Sequence, residues 1–94
     1  MKPRPITDYV ITSHAGYELS RRGLSEDTIH AILAAPEQQF ELRPGRVVLQ
    51  SKISSGQPAK AFLIRVFVDI DRTPAEVVTA YRTSKIGKYW RGNV

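Results

Sequence analysis

The stretch KAFLIRVFVDI, residues 60–70, decides the fold. Its large apolar side chains occupy alternate positions, as they do on one face of a β-strand: Phe62, Ile64, Val66 and Val68. Arg65 then lies on the opposite face, between Leu63 and Phe67, in the middle of a long strand. The pattern predicts a central strand with one face in the core and a cation at the centre of the other face.

Three further strands are predicted around this one. RVVLQSKI, residues 46–53, and AEVVTAYRT, residues 75–83, are rich in β-branched residues, and QFEL, residues 39–42, alternates weakly. The segments between them, RPG, SSGQP and DRTP, are typical of turns and loops. Consecutive strands with short connections favour an antiparallel meander.

Two helices are predicted before the strands. In SHAGYELSRRG, Ser13 suits the N-cap and Gly23 the position after the C-terminus. In LSEDTIHAILAAPE, Ser25 can cap the first turn and Pro36 stops the helix. We therefore expect an α+β fold in which two N-terminal helices pack on one face of a four-stranded antiparallel sheet.

The chain length of 94 residues suits one domain. We expect residues 1–11 to be a flexible lead and residues 12–90 to be the core domain. The sequence has no cysteine and no apolar run near the roughly 20 residues of a membrane helix, and its start lacks a signal-peptide core. These features favour a cytoplasmic protein without a membrane partner.

The charge distribution indicates an anionic partner. The formal net charge is +5, and residues 77–94 contain four basic residues and no acidic one. Basic domains favour nucleic acid, anionic lipid or an acidic protein. A DNA-binding helix-turn-helix is not favoured, because the second helix begins with acidic residues where a recognition helix places base-reading ones.

The sheet face opposite the helices is predicted to be cationic. It holds Arg46, Gln50, Lys52 and Arg65, and the last strand adds either Tyr81 or Arg82. The alternative is a face that is simply solvated, as in many antiparallel sheets. A twisted sheet with clustered cations suits a phosphate backbone better than a plain solvated face would.

The residue types allow metal-free cleavage of RNA, in which the 2′-hydroxyl is the nucleophile. Histidine and tyrosine can transfer protons, and arginine binds phosphate oxygens. We expect His14, Arg65 and Tyr81 to be catalytic. We expect these cations to bind RNA: Arg21, Lys52, Arg82, Lys85 and Lys88. No segment has the spacing of metal ligands, so no metal or other cofactor is expected.

Three motifs, SHAGYELSRRGLS, VVTAYRTS and KIGKYW, resemble a bacterial and phage domain family of unknown function over roughly residues 12–90. That family is similar to RelE-type and BrnT-type toxin ribonucleases and to the barnase and colicin-type toxin fold. The resemblance implies helices before an antiparallel sheet whose open face cleaves RNA, and an antitoxin partner that we expect to be acidic. DNA is then expected only in a complex with the antitoxin.

Carried over by position, the resemblance points to His14, Thr79, Tyr81 and Lys85, and to one of the paired arginines. The resemblance does not decide between Arg21 and Arg22, but Arg21 shares a helix face with His14, so the helix geometry favours Arg21. Tyr89 and Trp90 are predicted to anchor a C-terminal segment rather than to stack on bases.

Several alternatives compete with a catalytic site. In these alternatives, His14 would satisfy a backbone group or be exposed, and Arg65 would pair with a carboxylate such as Glu18. Tyr81 would be a packing residue. The protein as a whole is then a non-catalytic module of the same fold that binds RNA or protein, or an interaction protein whose partner covers the basic face.

Overall fold

A computed structural model of the chain describes residues 2–92. In chain order the elements are β1 (Tyr9–Ile11), α1 (Ser13–Arg21), α2 (Glu26–Ala34), β2 (Gln38–Arg43), β3 (Arg46–Ser55), β4 (Lys60–Asp69), β5 (Ala75–Thr83) and α3 (Ile86–Tyr89). The α+β class is confirmed.

The sheet has five strands, not the four that were predicted. Its order is β1-β5-β4-β3-β2, with β2 to β5 antiparallel and β1 parallel to β5. The additional strand pairs Tyr9 with Ala75 and Ile11 with Val77. Residues 9–11, expected to be part of a flexible lead, therefore lie at one edge of a mixed sheet.

Local sequence explains the ends of both N-terminal helices. Thr12, and not the expected Ser13, caps α1, because its hydroxyl accepts a hydrogen bond from the Ala15 amide at 3.1 Å. Gly23 follows α1 with a φ of 69°, and the Leu24 amide closes the turn on the Leu19 carbonyl. Ser25 caps α2 as predicted.

The core lies between the helices and one face of the sheet. Its strand residues are Val47, Leu49, Ile64, Val66, Val68, Val77 and Ala80, and its helix residues include Ala15, Leu19, Ile29, Ile32 and Leu33. The predicted apolar face of the central strand is confirmed from Ile64 to Val68. We call this the core face and the opposite one the outer face.

An irregularity in β5 determines which side chains reach the outer face. Val77 pairs with Val68, but Thr79, not Val78, pairs with Phe67, so β5 holds one extra residue at this point. Tyr81 then pairs with Arg65 on the outer face, and Arg82 pairs with Ile64 on the core side. The open choice between Tyr81 and Arg82 is settled in favour of Tyr81.

The first residues also contact the fold. The Ile6 amide donates to the Leu33 carbonyl at 2.8 Å, and the Arg4 amide donates to the side chain of Gln39 at 2.7 Å. Within residues 2–92, none of the helices has the length and apolar character required to span a bilayer.

Candidate functional site

Arg65 is the centre of the outer face, and it is a buried cation with only 8% of its surface exposed. Its Nε donates to Gln50 Oε1 at 2.9 Å, and its Nη1 donates to the Tyr81 hydroxyl at 2.7 Å. Within residues 2–92 no carboxylate pairs with it, and Nη2 has no hydrogen-bond partner. The expected alternative, an ion pair with Glu18, is therefore absent.

Aromatic rings replace the missing counter-charge. The guanidinium carbon of Arg65 lies 4.3 Å from the ring centre of Tyr89, 5.3 Å from that of Phe67 and 5.8 Å from that of Tyr81. The ring of Phe40 is at 6.0 Å. Ring faces attract a cation most where water is excluded. Arg65 is thus enclosed by aromatic rings, and its Nη2 is left outside the hydrogen bonds that its other nitrogens make within residues 2–92.

Two tyrosines lie next to this guanidinium. Tyr81 stacks on Phe67 at 5.9 Å and meets Tyr89 edge-on at 6.1 Å. Hydrogen bonding with Tyr81 and with Lys88, then the charges of Lys88 and Arg65, lower the pKa of Tyr89. A phenol with a lowered pKa beside an arginine is suited to proton transfer near a phosphate. Sequence reasoning assigned Tyr89 only an anchoring role.

The C-terminal residues 85–92, which we call the strap, lie across the outer face. The Tyr89 carbonyl accepts a hydrogen bond from Gln50 at 3.1 Å, and Lys52 Nζ lies 3.9 Å from the centre of a Trp90 ring. Tyr89 and Trp90 are both half-buried, as expected of anchoring residues. The expectation that this face is open is wrong at its centre, because the strap folds back over it.

Gln38 and Gln50 hold the strap, and the sequence analysis missed both roles. The Gln50 amide donates to Gln38 Oε1 at 2.7 Å, and Gln38 binds both the amide and the carbonyl of Arg91. Both side chains are buried, with Gln50 fully so. A glutamine on an outer strand face is easily taken for a solvated residue. Its pairing with the opposite glutamine becomes visible only from the register.

The other predicted cations lie around this centre at different places. Lys52 shares the outer face with Arg65, two positions along β3 from Gln50, and Lys88 Nζ is 5.3 Å from the Tyr89 ring. Lys85 precedes α3 in the strap. Arg82 lies on the core side of β5, over the Phe62 ring at 4.9 Å, and is therefore separated from Arg65 by the sheet.

His14 belongs to a different cluster, on α1. Its Nε2 is 3.6 Å from Glu18 Oε1, and its side chain is 76% exposed. Arg21 and Arg22 also approach this carboxylate, at 4.0 and 3.4 Å. The hydrogen bond from Thr79, then the charges of Arg22, His14 and Arg21, lower the pKa of Glu18 although burial opposes this. His14, Arg21 and Arg22 therefore share one acid, which the sequence analysis did not expect.

The two clusters meet along β5. Thr79 donates to Glu18 at 2.8 Å, and Arg22 donates to Thr79 at 3.0 Å and to the Ala80 carbonyl at 2.9 Å. Arg22, the alternative to Arg21, is thus the arginine that ties α1 to the sheet. Thr79 and Tyr81 are two residues apart on one side of β5, which corresponds to about 7 Å. The α1 cluster lies at the rim of the outer face, and no contact between His14 and Arg65 or Tyr81 occurs within residues 2–92.

The charges divide the molecule into two unlike parts. Residues 47–68 and 77–92 contain no acid and seven cations: Lys52, Lys60, Arg65, Arg82, Lys85, Lys88 and Arg91. None of the seven forms an ion pair with a side chain of residues 2–92. Two acids from outside reach this part without pairing with its cations: Glu37 accepts a hydrogen bond from the backbone amide of Lys52 at 2.6 Å, and Glu18 accepts one from Thr79.

No group of three or more histidine, cysteine or acidic side chains that is suited to hold a metal ion occurs in the described part of the chain. The chain matches no protein-family model, no curated protein and no solved structure, so the resemblance to toxin ribonucleases stays a prediction.

Proposed function

We propose that this protein is a metal-independent endoribonuclease that binds single-stranded RNA on the outer face around Arg65. The observation that carries the proposal is the buried guanidinium of Arg65, which has no acidic partner within residues 2–92 and touches two tyrosines. Burying a charge without a counter-ion is costly. A phosphodiester bound beside Arg65 would supply the negative charge that the protein does not.

The proposed reaction uses the RNA's own 2′-hydroxyl. This oxygen attacks the adjacent phosphorus, the bond to the 5′-oxygen breaks, and the products are a 2′,3′-cyclic phosphate and a 5′-hydroxyl. One group must remove the 2′ proton and another must protonate the leaving oxygen. Arg65 would stabilise the extra negative charge on the phosphate oxygens through its unused edge.

Tyr89 suits the role of base, because its pKa is lowered by Tyr81, Lys88 and Arg65. Tyr81 would hold Arg65 in place and present its hydroxyl to the phosphate. His14, held by Glu18 at the rim of the face, is the candidate for the second proton transfer. The cations of the acid-free part, Lys52, Lys85 and Lys88 among them, would bind the flanking phosphates.

The resemblance to toxin ribonucleases supports a place in a toxin–antitoxin or polymorphic toxin system. In that setting the neutralising partner would be an acidic protein that covers the cationic part of the surface. Charge complementarity with the seven cations that form no ion pair within residues 2–92 supports this choice of partner.

The test is incubation of the purified protein with single-stranded RNA in EDTA, with mass analysis of the products. We expect cyclic-phosphate ends, no cleavage where the nucleotide is 2′-deoxy, and a loss of rate in Tyr89→Phe and His14→Ala. Gln57→Ala, in the exposed β3–β4 loop, is the matched control. RNA that stays intact at high protein concentration would reject the enzymatic function.

A second candidate function is RNA binding without cleavage. The exposure of His14 and its pairing with Glu18 favour it, since they leave the proton-transfer groups of the two clusters apart. Affinity that falls steeply with salt, together with intact RNA, would support this candidate.

A further inference from the structure

We propose that Gln38 and Phe40 form a binding subsite for one unpaired nucleobase, and that Arg91, at the end of the strap, occupies this subsite in the free protein, so that RNA displaces this end of the strap while Tyr89 stays beside Arg65. This inference rests on the proposed RNA binding and identifies both what the face recognises and what blocks it. Three observations support it. They are the hydrogen bonds between Gln38 and the Arg91 backbone, the guanidinium of Arg91 over the ring of Phe40, and the lack of buried side chains in α3.

Gln38 presents a donor and an acceptor side by side. Its Nε2 donates to the Arg91 carbonyl, and its Oε1 accepts from the Arg91 amide at 3.1 Å. Each nucleobase offers an adjacent donor and acceptor on its Watson–Crick edge, which matches the same amide. Gln50 fixes the orientation of Gln38 by donating to that oxygen at 2.7 Å, so the amide is already oriented for such a partner.

The ring of Phe40 carries a planar group. The guanidinium carbon of Arg91 is 4.0 Å from the ring centre, which is a stacking distance. Phe40 and Gln38 are two residues apart on the same face of β2. A base that stacks on Phe40 can therefore present its edge to Gln38, as bases do on the aromatic platforms of single-strand binders.

The strap is held by hydrogen bonds and cation–π contacts rather than by buried apolar side chains. Its helix α3 has four residues, no side-chain cap and no buried residue, whereas α2 has a capping serine and three buried residues. Trp90 is only half-buried, and its contact with Lys52 is a cation–π pair. Polar and cation–π contacts each contribute about 1 kcal/mol. RNA contacts of the same kind can replace them.

A duplex cannot use this subsite, because its Watson–Crick edges are already paired and its bases are stacked. The subsite therefore predicts a preference for single strands. Arg65, next to Gln50 on the adjoining strand, would take the phosphate that follows the bound base.

The experiment uses the full chain and a labelled eight-nucleotide 2′-O-methyl RNA, which the proposed reaction cannot cleave. A second probe has the same backbone without bases, and a third is the duplex. Trp90 is the only tryptophan, so its emission reports the position of the strap. We expect the single strand to change this emission in a saturable manner, with little change from the other two probes.

Variants separate the strap from the base contact. Trp90→Ala loosens the strap without removing a cation and should tighten binding of the single strand by roughly three- to tenfold, the size of one cation–π contact. The probe without bases should bind to Trp90→Ala no more tightly than to the parent. Adding Gln38→Ala to Trp90→Ala should cancel the gain, whereas adding Gln57→Ala should not.

Two results would overturn the inference and leave the proposed function standing. One is normal binding of the single strand with unchanged Trp90 emission. The other is an equal gain for the abasic probe in Trp90→Ala. The absence of binding by the parent and by Trp90→Ala would reject both the subsite and the proposed function.

Discussion

The two ends of the sheet handle charge in opposite ways. At the turn end, where residues 44–45 and 70–74 join the strands, Arg46 binds Asp69 through two nitrogens at 2.6 and 3.0 Å, and Arg72 pairs with Asp69, Asp71 and Glu76. At the hairpin end, which comprises the β3–β4 loop, the end of β5 and the strap, cations contact rings instead of acids. Paired charge stabilises a fold, whereas unpaired charge remains available to a ligand.

The largest contrast is expected between Arg65→Met and Arg46→Met, which remove one guanidinium from each part of the outer face. Arg65→Met should lower RNA cleavage by about 10²- to 10³-fold, as loss of a charge-stabilising donor does. Arg46→Met should keep the cleavage rate but lose about 1–3 kcal/mol of unfolding free energy, because Asp69 is left half-paired. Cleavage assays and urea unfolding of both variants measure the two effects. Equal loss of cleavage in both would remove the distinction between the ends.

The salt dependence of RNA binding should differ between the ends by a smaller amount. For single strands, each phosphate contact contributes about 0.7 to the slope of log affinity against log salt. Lys88→Gln should lower that slope by about one such contact and weaken binding several-fold, whereas Arg72→Gln should change neither quantity. Titrations of a labelled oligonucleotide at four salt concentrations give the slopes. A change with Arg72→Gln would place RNA at the turn end.

Acid should weaken the turn end through Asp69. The hydrogen bond from Arg46, then the charges of Arg46, Arg72 and Arg43, lower the pKa of Asp69 against the effect of burial. Because the folded-state value lies below that of the unfolded chain, the stabilisation is complete above about pH 4 and is lost as the pH falls through the folded-state pKa.

Asp69→Asn should therefore flatten the fall of the melting temperature as the pH drops below about 4. Asp8→Asn, at an exposed residue without an ion pair in the described part of the chain, serves as control and should follow the parent. If the melting temperature of Asp69→Asn fell at low pH as steeply as that of the parent, another carboxylate would dominate the acid dependence of stability.

The smallest expected effect concerns two tyrosines. The pKa of Tyr89 is lowered by its hydrogen bonds and by neighbouring cations, whereas burial and the charge of Glu26 raise the pKa of Tyr9. Carbon NMR of labelled tyrosine rings should show Tyr89 ionising below about pH 10 and Tyr9 above it. Lys88→Gln should move Tyr89 upward and leave Tyr9 unchanged. Coincident titration of the two rings would contradict the proposed base.

Local patterns predicted much of this fold. The caps at Ser25 and Gly23 and the stop at Pro36 depend on neighbours within a few residues, and the alternation of residues 62–68 reports burial directly. The three-residue β1 escaped prediction, because its pairing with β5 joins segments some 66 positions apart. Such a partner leaves no periodic pattern in so short a strand.

The candidate site was predicted only in part, because some of its contacts also join distant segments of the chain. Arg65 was chosen because it interrupts an apolar strand, and Tyr81 because a phenol near cations can transfer a proton. The two are hydrogen-bonded across β4 and β5. His14 was expected to join them but shares Glu18 with two arginines. Gln38 and the strap were missed because their contacts cross 53 positions and involve backbone atoms, which composition does not reveal.

The extra residue at Val78 reverses the alternation of side chains along β5. Before it, odd-numbered side chains of β5 point to the core, and after it they point outward, so that Val77 and Tyr81 serve opposite sides. If β5 instead continued the register of Val77 and Val68 without the extra residue looping out, Ala80 and Arg82 would reach the outer face and Tyr81 would turn inward. An alignment of related chains that treats this strand as gap-free would therefore compare residues on opposite sides of the sheet.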